Sequence, residues 1–374
     1  MVFGVAKEIK DHETRVGLLP SDAKELIDMG SKVLVETGAG ALCGHPDEEY
    51  VSAGAEIVDS MAEIYNKSDV VLAIKELSEE HFALLREGLV VAASLHTNAH
   101  PDEVDALLKN KVTAIAFEDI TDDKGEFPIL KTQSPVAGAG AVIMAGYFMS
   151  AAAGGPGVML TKISGCPAAN VTVLGAGFAG VAAAQAAAGM GSNVTLMDVN
   201  VDRLNAALAV LPDNVEYLLS SKSGIEARLE VSDLLVNCVP WPKHRKDHLI
   251  TREMMQKHAK KNLFVADVAC DVNGALETCI KSTSHSEPLY ELDGVTYYTV
   301  DNIPAAFGRT CSESCTHPLM PFLKEIASKG VEQALKDNKY LRTGLSSYNG
   351  LLTLRETGLK QNRPYVSPEE ALGM

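Results

Sequence analysis

The chain has 374 residues, 46% of them hydrophobic and 22% charged, which is the balance of a folded globular protein with length for two domains. A formal net charge of -16 at pH 7 argues against nucleic acid or an anionic membrane surface as partner, because both are held by a basic face. The partner that remains is a small molecule, and an acidic protein that binds small anions must gather its few cations at the site.

Cys43, Cys166, Cys238, Cys270, Cys279, Cys311 and Cys315 are odd in number and scattered, several within apolar runs. That pattern suits reduced thiols in a cytoplasmic enzyme better than a disulfide framework.

The chain opens on a short strand, Val2–Val5, followed by dense charge, which is not the pattern of a signal peptide. Further strands are predicted at Lys32–Val35, Val70–Ile74, Leu89–Ala92 and Val112–Phe117. Helical spacing covers Ser21–Met29, Met61–Tyr65, Glu79–Arg86 and Pro101–Lys109, with Ser21 and Ser60 as caps of the first two. Strands alternating with helices imply a parallel sheet covered on both faces. Residues 132 to 160 then carry no charge. Ala137 to Gly157 is Ala/Gly-rich, weakly apolar and broken by Gly154-Gly-Pro-Gly157, so it predicts a buried helix over 134–153 rather than a membrane span.

A second alternating region follows, with strands at Asn170–Leu174, Asn193–Met197, Val215–Leu218, Leu234–Cys238, Leu263–Val268 and Val295–Val300. After Pro304 the pattern is helical again, notably Thr316–Asn338, in a tail too short for a third domain. The expected architecture is therefore α/β: two Rossmann-like doubly wound domains, with 131–304 inserted into a discontinuous domain of 1–130 and 305–374.

The sharpest motif is Gly175-Ala176-Gly177-Phe178-Ala179-Gly180, which follows a strand and opens an Ala-rich helix. Its glycines permit a tight turn and close approach of backbone N–H groups to a pyrophosphate at the helix N-terminus. The next strand ends in Asp198, about 20 residues beyond the motif, where an acid accepts bonds from the ribose hydroxyls and repels a 2′-phosphate. NAD is favoured over NADP, although the nearby Arg203 softens that choice. Lys75 and His96 each follow an apolar run, at the carboxyl end of a predicted strand.

Several segments in order resemble the alanine dehydrogenase and nicotinamide nucleotide transhydrogenase family. They are Phe3–Glu8, Glu13–Pro20, Val33–Gly40, Ala53–Glu56, Ile74–Glu76, Leu95-His96, the glycine motif with Asp198, Asp267–Asp271 and Asp301–Pro304. The resemblance spans essentially the whole chain. It implies that Arg15 and Lys75 bind the substrate carboxylate and keto oxygen, where a bidentate guanidinium and an ammonium suit the task. It implies His96 and Asp271 as the acid/base pair, while Asp267 in the same segment reads as structural instead. By the same match Asn302 contacts nicotinamide or substrate, Ser134 and Ser220 contact the cofactor, and Val239 lines its pocket. The implied activity is the reversible, NAD-dependent oxidative deamination of L-alanine to pyruvate and ammonia by a homo-oligomer, hexameric in this family.

The match has departures. Val272-Asn273-Gly274 stands where alanine dehydrogenases have Gln-Gly-Gly, and Thr278-Cys279-Ile280 where they have a cofactor-assisting Arg. Ser134–Ala139 lacks the usual flanking Glu and Arg, and Pro240–Asp247 replaces a simpler Val-Pro-Gly turn. The last features, with Arg245–His248, are similar to carboxyethyl-ornithine synthases. Those enzymes, like saccharopine dehydrogenases, reduce an imine formed from a 2-oxo acid and an amino acid's amine, and the Trp241 loop would then recognise the larger amine. A third possibility is a non-catalytic, transhydrogenase-like nucleotide-binding subunit. Cys311, Cys315 and His317 have no fourth ligand and read as a buried helix face rather than a metal site; His244 and His248 read as solvated loop residues.

Overall fold

The computed structural model describes residues 1–242 and 245–374, so Lys243 and His244 of the Trp241 loop lie outside the described residues. The chain divides into two compact units, Met1–Gln133 with Phe307–Met374, and Ser134–Ala306.

In the first unit six parallel strands come in chain order: β1 (Val2–Val5), β2 (Lys32–Glu36), β3 (Glu56–Val58), β4 (Val70–Leu72), β5 (Val90–Ala93) and β6 (Thr113–Ala116). Every side chain of β4 to β6 is buried, as expected of parallel strands covered on both faces. The two-residue alternation sorts them. Phe3, Val33, Val35, Val70 and Leu72 pack into one layer with Leu319, Leu323 and Ile326, while Leu34, Val71 and Val91 pack into the other with Ile64, Tyr65 and Leu107.

The second unit holds β7 (Asn170–Leu174), β8 (Asn193–Asp198), β9 (Val215–Leu219), β10 (Leu234–Asn237), β11 (Phe264–Asp267), β12 (Leu289–Leu292) and β13 (Val295–Tyr298). Returning to the first unit, the chain adds β14 (Leu345–Tyr348) and β15 (Leu351–Leu352). The sheet orders are β3-β2-β1-β4-β5-β6-β14-β15 and β9-β8-β7-β10-β11-β13-β12. Each reverses direction once, between β1 and β4 and between β7 and β10, which is the doubly wound arrangement. Only edge pairings are antiparallel, β12 on β13 and β14 on β6 and β15.

Several elements differ from expectation. Ser21 lies inside the first helix, Pro20–Asp28, whose N-cap is Leu19. Proline takes the first helical position because its missing N–H would be unpaired there anyway, and Asp22 accepts the Leu19 N–H at 3.3 Å. Ser60 does cap its helix, accepting from the Glu63 N–H at 3.4 Å. The stretch expected over 316–338 forms two helices, Gly308–Lys329 and Val331–Asp337, broken where Gly330 adopts a φ of 81°. The helix expected over 134–153 runs Leu130–Phe148, shifted toward the N-terminus of that span, and a short turn at Ala151–Ala153 follows. The strand β3, the helix Asp47–Ala53 and the β12, β14 and β15 edges were not anticipated. Among the described residues no helix is long and apolar enough to cross a membrane.

Leu323 sits at 1% exposure in the layer where the returning helix covers the first sheet. Leu323→Ala is expected to destabilise the protein by about 2–5 kcal/mol, read from urea unfolding followed by circular dichroism. A midpoint unchanged from the parent would mean that this layer contributes little.

Candidate active site

A parallel sheet delivers its reactive side chains from the loops beyond the carboxyl ends of its strands, near the point where strand order reverses. In the first unit Glu8, Glu13 and Arg15 follow β1, Lys75 follows β4, His96 follows β5 and Glu118 follows β6. In the second, Gly175 follows β7, Asp198 ends β8, Ser220 follows β9, Val239 follows β10, Asp271 follows β11 and Asn302 follows β13.

Arg15 is 5% exposed and is gripped by the buried Glu13: Nε donates to Oε1 at 2.7 Å and Nη2 to Oε2 at 2.6 Å. Nη1 donates to Gln133 Oε1 at 2.9 Å. A bidentate pair of this kind fixes the guanidinium plane and offsets much of the cost of burying the charge. Lys75 Nζ lies 3.6 Å from Glu76 Oε2, and burial holds its ammonium below the ordinary value. Burial works against ionising Glu76, but Lys75 and Lys10 bring it down to about 2. Glu8, which accepts the Ile74 N–H at 2.5 Å, is instead pushed up to about 8 by burial. The site thus holds one carboxyl ionised beside its cations while burial keeps another largely protonated near neutrality.

His96 adopts a φ of 48°, an uncommon backbone for a residue with a side chain. Its N–H donates to Glu118 Oε1 at 2.6 Å, and its Nδ1 lies 3.7 Å from the same oxygen. Burial first, then the neighbouring Lys75 ammonium, hold the imidazole below its usual 6.5. The ring is therefore neutral at pH 7. Burial pushes Glu118 up to about 8.

In the second unit Gly175 has a φ of 94°, and a Cβ on Gly180 would lie 1.7 Å from the Gly175 carbonyl oxygen. Gly177 caps the helix Phe178–Met190, and a Cβ there would meet nothing within 4 Å. The turn is therefore tight behind and open in front, at the N-terminus of a helix that begins with Phe178 and Ala179. Asp198 is 6% exposed; Oδ2 accepts the Ala176 N–H at 2.7 Å and Oδ1 the Asn200 N–H at 2.8 Å. Each oxygen retains a second acceptor position for a ribose hydroxyl. These residues fit a dinucleotide. Arg203 is exposed in the first turn of the helix Val201–Leu208. Gly138, one turn after Ser134, packs where its Cβ would be 1.9 Å from Ala179 O. The Gly/Ala composition of that helix therefore serves packing within the unit.

Asp267 is 1% exposed and accepts from Asn237 Nδ2 at 2.8 Å and the Cys270 N–H at 3.2 Å, which makes it a brace for the loop rather than a reacting group. Asp271 lies partly exposed at that loop's tip, its Oδ2 accepting the Trp241 N–H at 3.0 Å. Asn302 is 5% exposed, its carbonyl accepting from His285 Nε2 at 2.8 Å and the Ala305 N–H at 3.0 Å. Cys315 packs in the core of the first unit, Cys311 is buried against Arg15 and Gln133, and His317 is exposed.

Two family models match in tandem, the N-terminal domain of alanine dehydrogenase/PNT over residues 4–137 and its C-terminal domain over 141–355. The alanine dehydrogenases of Methanococcus maripaludis and Bacillus subtilis are 36% and 37% identical over 372 residues, covering all of this chain and 100% and 98% of theirs. The chain belongs to the alanine dehydrogenase/PNT family. A solved L-alanine dehydrogenase superposes with a TM-score of 0.91 at 32% identity over 97% of this chain and 99% of its own. The transhydrogenase of Sinorhizobium meliloti shares the fold, with a TM-score of 0.79 at 23% identity over 94% of this chain and 98% of its own. The two family segments abut inside the helix Leu130–Phe148, and the second runs past Ala306 into the segment that returns to the first unit.

Glu8, Glu13, Gln133, Glu118 and Asn237 escaped the sequence reading. Glu118 carries the signal that selected His96, a polar residue just past an apolar strand. Glu13 is legible only once Arg15 is known to be buried, since a buried guanidinium calls for a carboxylate.

Gly180→Ala is expected to weaken NAD binding at least about tenfold by titration calorimetry, because the turn cannot close around a Cβ. An unchanged dissociation constant would show that the turn is not the pyrophosphate seat. Glu103, 1% exposed and accepting the Leu77 N–H at 2.7 Å, is pushed by burial from 4.5 to about 9. With Glu8 and Glu118 raised to about 8, the folded chain holds protons that the unfolded chain releases above 4.5. Stability should therefore fall as pH rises from 4.5 through about 9 and level off beyond, with a shallower slope in Glu103→Gln. Urea midpoints that rise over this window would contradict the assignment.

Proposed function

We propose that the protein catalyses the reversible, NAD-dependent oxidative deamination of L-alanine to pyruvate and ammonia. The observation that carries this reading is full-length likeness to alanine dehydrogenases combined with Arg15, Lys75 and His96 together at the strand ends of the first unit. The first unit is the substrate domain and the second the dinucleotide domain. The glycine turn from Gly175 to Gly180, with Phe178 and Ala179, seats the pyrophosphate, and Asp198 takes the adenosine ribose and disfavours a 2′-phosphate. Arg203, Ser134, Ser220, Val239 and Asn302 complete the cofactor contacts, Asn302 touching substrate as well. When bound, the nicotinamide supplies or accepts the hydride at the substrate's α-carbon.

Arg15 holds the substrate carboxylate, its plane set by Glu13, and Lys75 polarises the developing carbonyl oxygen. His96, neutral at pH 7, accepts a proton from the water that adds to the imine and returns it as the keto acid and ammonia separate. Asp271 holds the ammonia or water and carries a proton in the same exchange. The protein is read as a cytoplasmic homo-oligomer, a hexamer by resemblance. Ile143 and Tyr147, 44% and 62% exposed on the helix Leu130–Phe148, offer apolar surface for subunit contact, which light scattering of the purified protein tests.

The turn Val272-Asn273-Gly274 and the Trp241 loop favour a second reading, reduction of an imine between a 2-oxo acid and an amino acid's amine. NADH oxidation with pyruvate separates the two. Ammonium-dependent turnover supports the first reading, turnover dependent on ornithine or lysine the second, and silence with all three amines defeats both. His96→Ala should lower kcat by about 10²–10⁴-fold. With L-alanine, kcat/KM should fall on the acid side only below His96's ordinary 6.5, because the imidazole is held low. An acid limb centred above 6.5 that disappears in His96→Ala would contradict this.

A further inference from the structure

Asp271 stands on a sharp turn. Cys270 and Asn273 on either side adopt φ values of 51° and 50°, and a Cβ on Gly274 would come within 2.5 Å of Asp271 Cβ. Its Oδ2 accepts the Trp241 N–H, whereas among the described residues Oδ1 has no hydrogen-bond partner. One oxygen is pinned and the other is left for chemistry.

The pin is stiff. Trp241 lies between Pro240 and Pro242, so its backbone is confined to extended conformations. Its indole Nε1–H donates to the Asp247 carbonyl at 2.8 Å, and the Arg245 guanidinium lies 4.1 Å from the ring centroid. Arg245 in turn grips the Asp247 carboxylate with two N–H groups, Nε to Oδ1 at 2.8 Å and Nη2 to Oδ2. A second tie joins the same loops: His248 Nδ1–H donates to the Gly274 carbonyl at 2.8 Å. Trp241, Arg245, Asp247 and His248 are thus engaged with one another and with the Asp271 turn.

We propose that Trp241, locked by Arg245 and Asp247, is a positioning residue that orients the Asp271 carboxylate through its backbone N–H. The proposal rests on the role given to Asp271 above. A hydrogen bond to a charged group that is kept through the reaction fixes which oxygen meets ammonia, so its loss should appear in turnover and in ammonium affinity.

The test uses the full-length protein with four variants: Asp271→Asn, Trp241→Ala, Trp241→Phe and Trp241→Pro. Trp241→Ala keeps the N–H but frees the clip, and should lower kcat about tenfold and raise the ammonium KM, with pyruvate KM and NADH dissociation constant within about twofold of the parent. Trp241→Phe, which restores a ring under Arg245, should recover most of the loss. Trp241→Pro, which removes the donor, should cost about 10- to 100-fold. If Asp271→Asn is inactive and Trp241→Ala keeps parental kcat and ammonium KM, the positioning role is overturned while the role of Asp271 stands. If Asp271→Asn turns over normally, the role of Asp271 fails and the positioning role with it. A Trp241→Ala protein that loses NADH affinity in step with kcat would mark a merely structural loop and also overturn the proposal.

Discussion

Parallel strands share a carboxyl edge. There the ladder of backbone hydrogen bonds ends and the chain must leave the sheet before a helix brings it back. Near the reversal of strand order the two flanking connections run to opposite faces, which opens a crevice that neither fills. Seven of the site residues depart from such an edge. Arg15, Lys75 and His96 leave one sheet, and Gly175, Asp198, Asp271 and Asn302 the other. The alternation that divides Val33 and Val35 from Leu34 across two layers makes that edge rigid enough to hold reacting groups in place.

Burial sets the electrostatics of the first unit. Arg15 keeps its charge in a dry environment because Glu13 is equally dry and forks onto it. Burial outweighs any nearby cation at Glu8, Glu103 and Glu118 and holds them toward their protonated forms. Glu76, between Lys10 and Lys75, goes the other way. Carboxyl groups of the same intrinsic acidity thus take opposite protonation states according to whether a cation shares their desolvation.

Two aspartates four residues apart in the second unit show how position divides a braced carboxylate from an accessible one. Asp267 ends β11 inside the sheet edge, where Asn237 and the Cys270 N–H consume it. Asp271 is carried outward by a turn containing two residues of positive φ, and among the described residues one of its oxygens has no hydrogen-bond partner. The Asn237 amide, which also accepts the Val239 N–H at 3.2 Å, ties the loops after β10 and β11 to each other. Backbone strain of this kind is tolerated where the surrounding contacts over-determine it.

The local periodicities of this sequence were enough to determine an α/β architecture, the dinucleotide turn and the acid that closes it. Apolar runs that alternate with helical spacing have few other ways to bury both faces of a sheet. Lys75 and His96 were legible for the same reason, as polar residues directly after such runs. What only the tertiary structure decided depends on partners distant in sequence. Leu345–Tyr348 becomes a strand because it meets β6, the Glu118 carboxylate reaches the His96 N–H, and the Trp241 N–H reaches Asp271. The protonation states of Glu8 and Glu76 belong to the same class. Desolvation and charge pairing are properties of a packed neighbourhood, and no local pattern of residues encodes which neighbours that packing brings together.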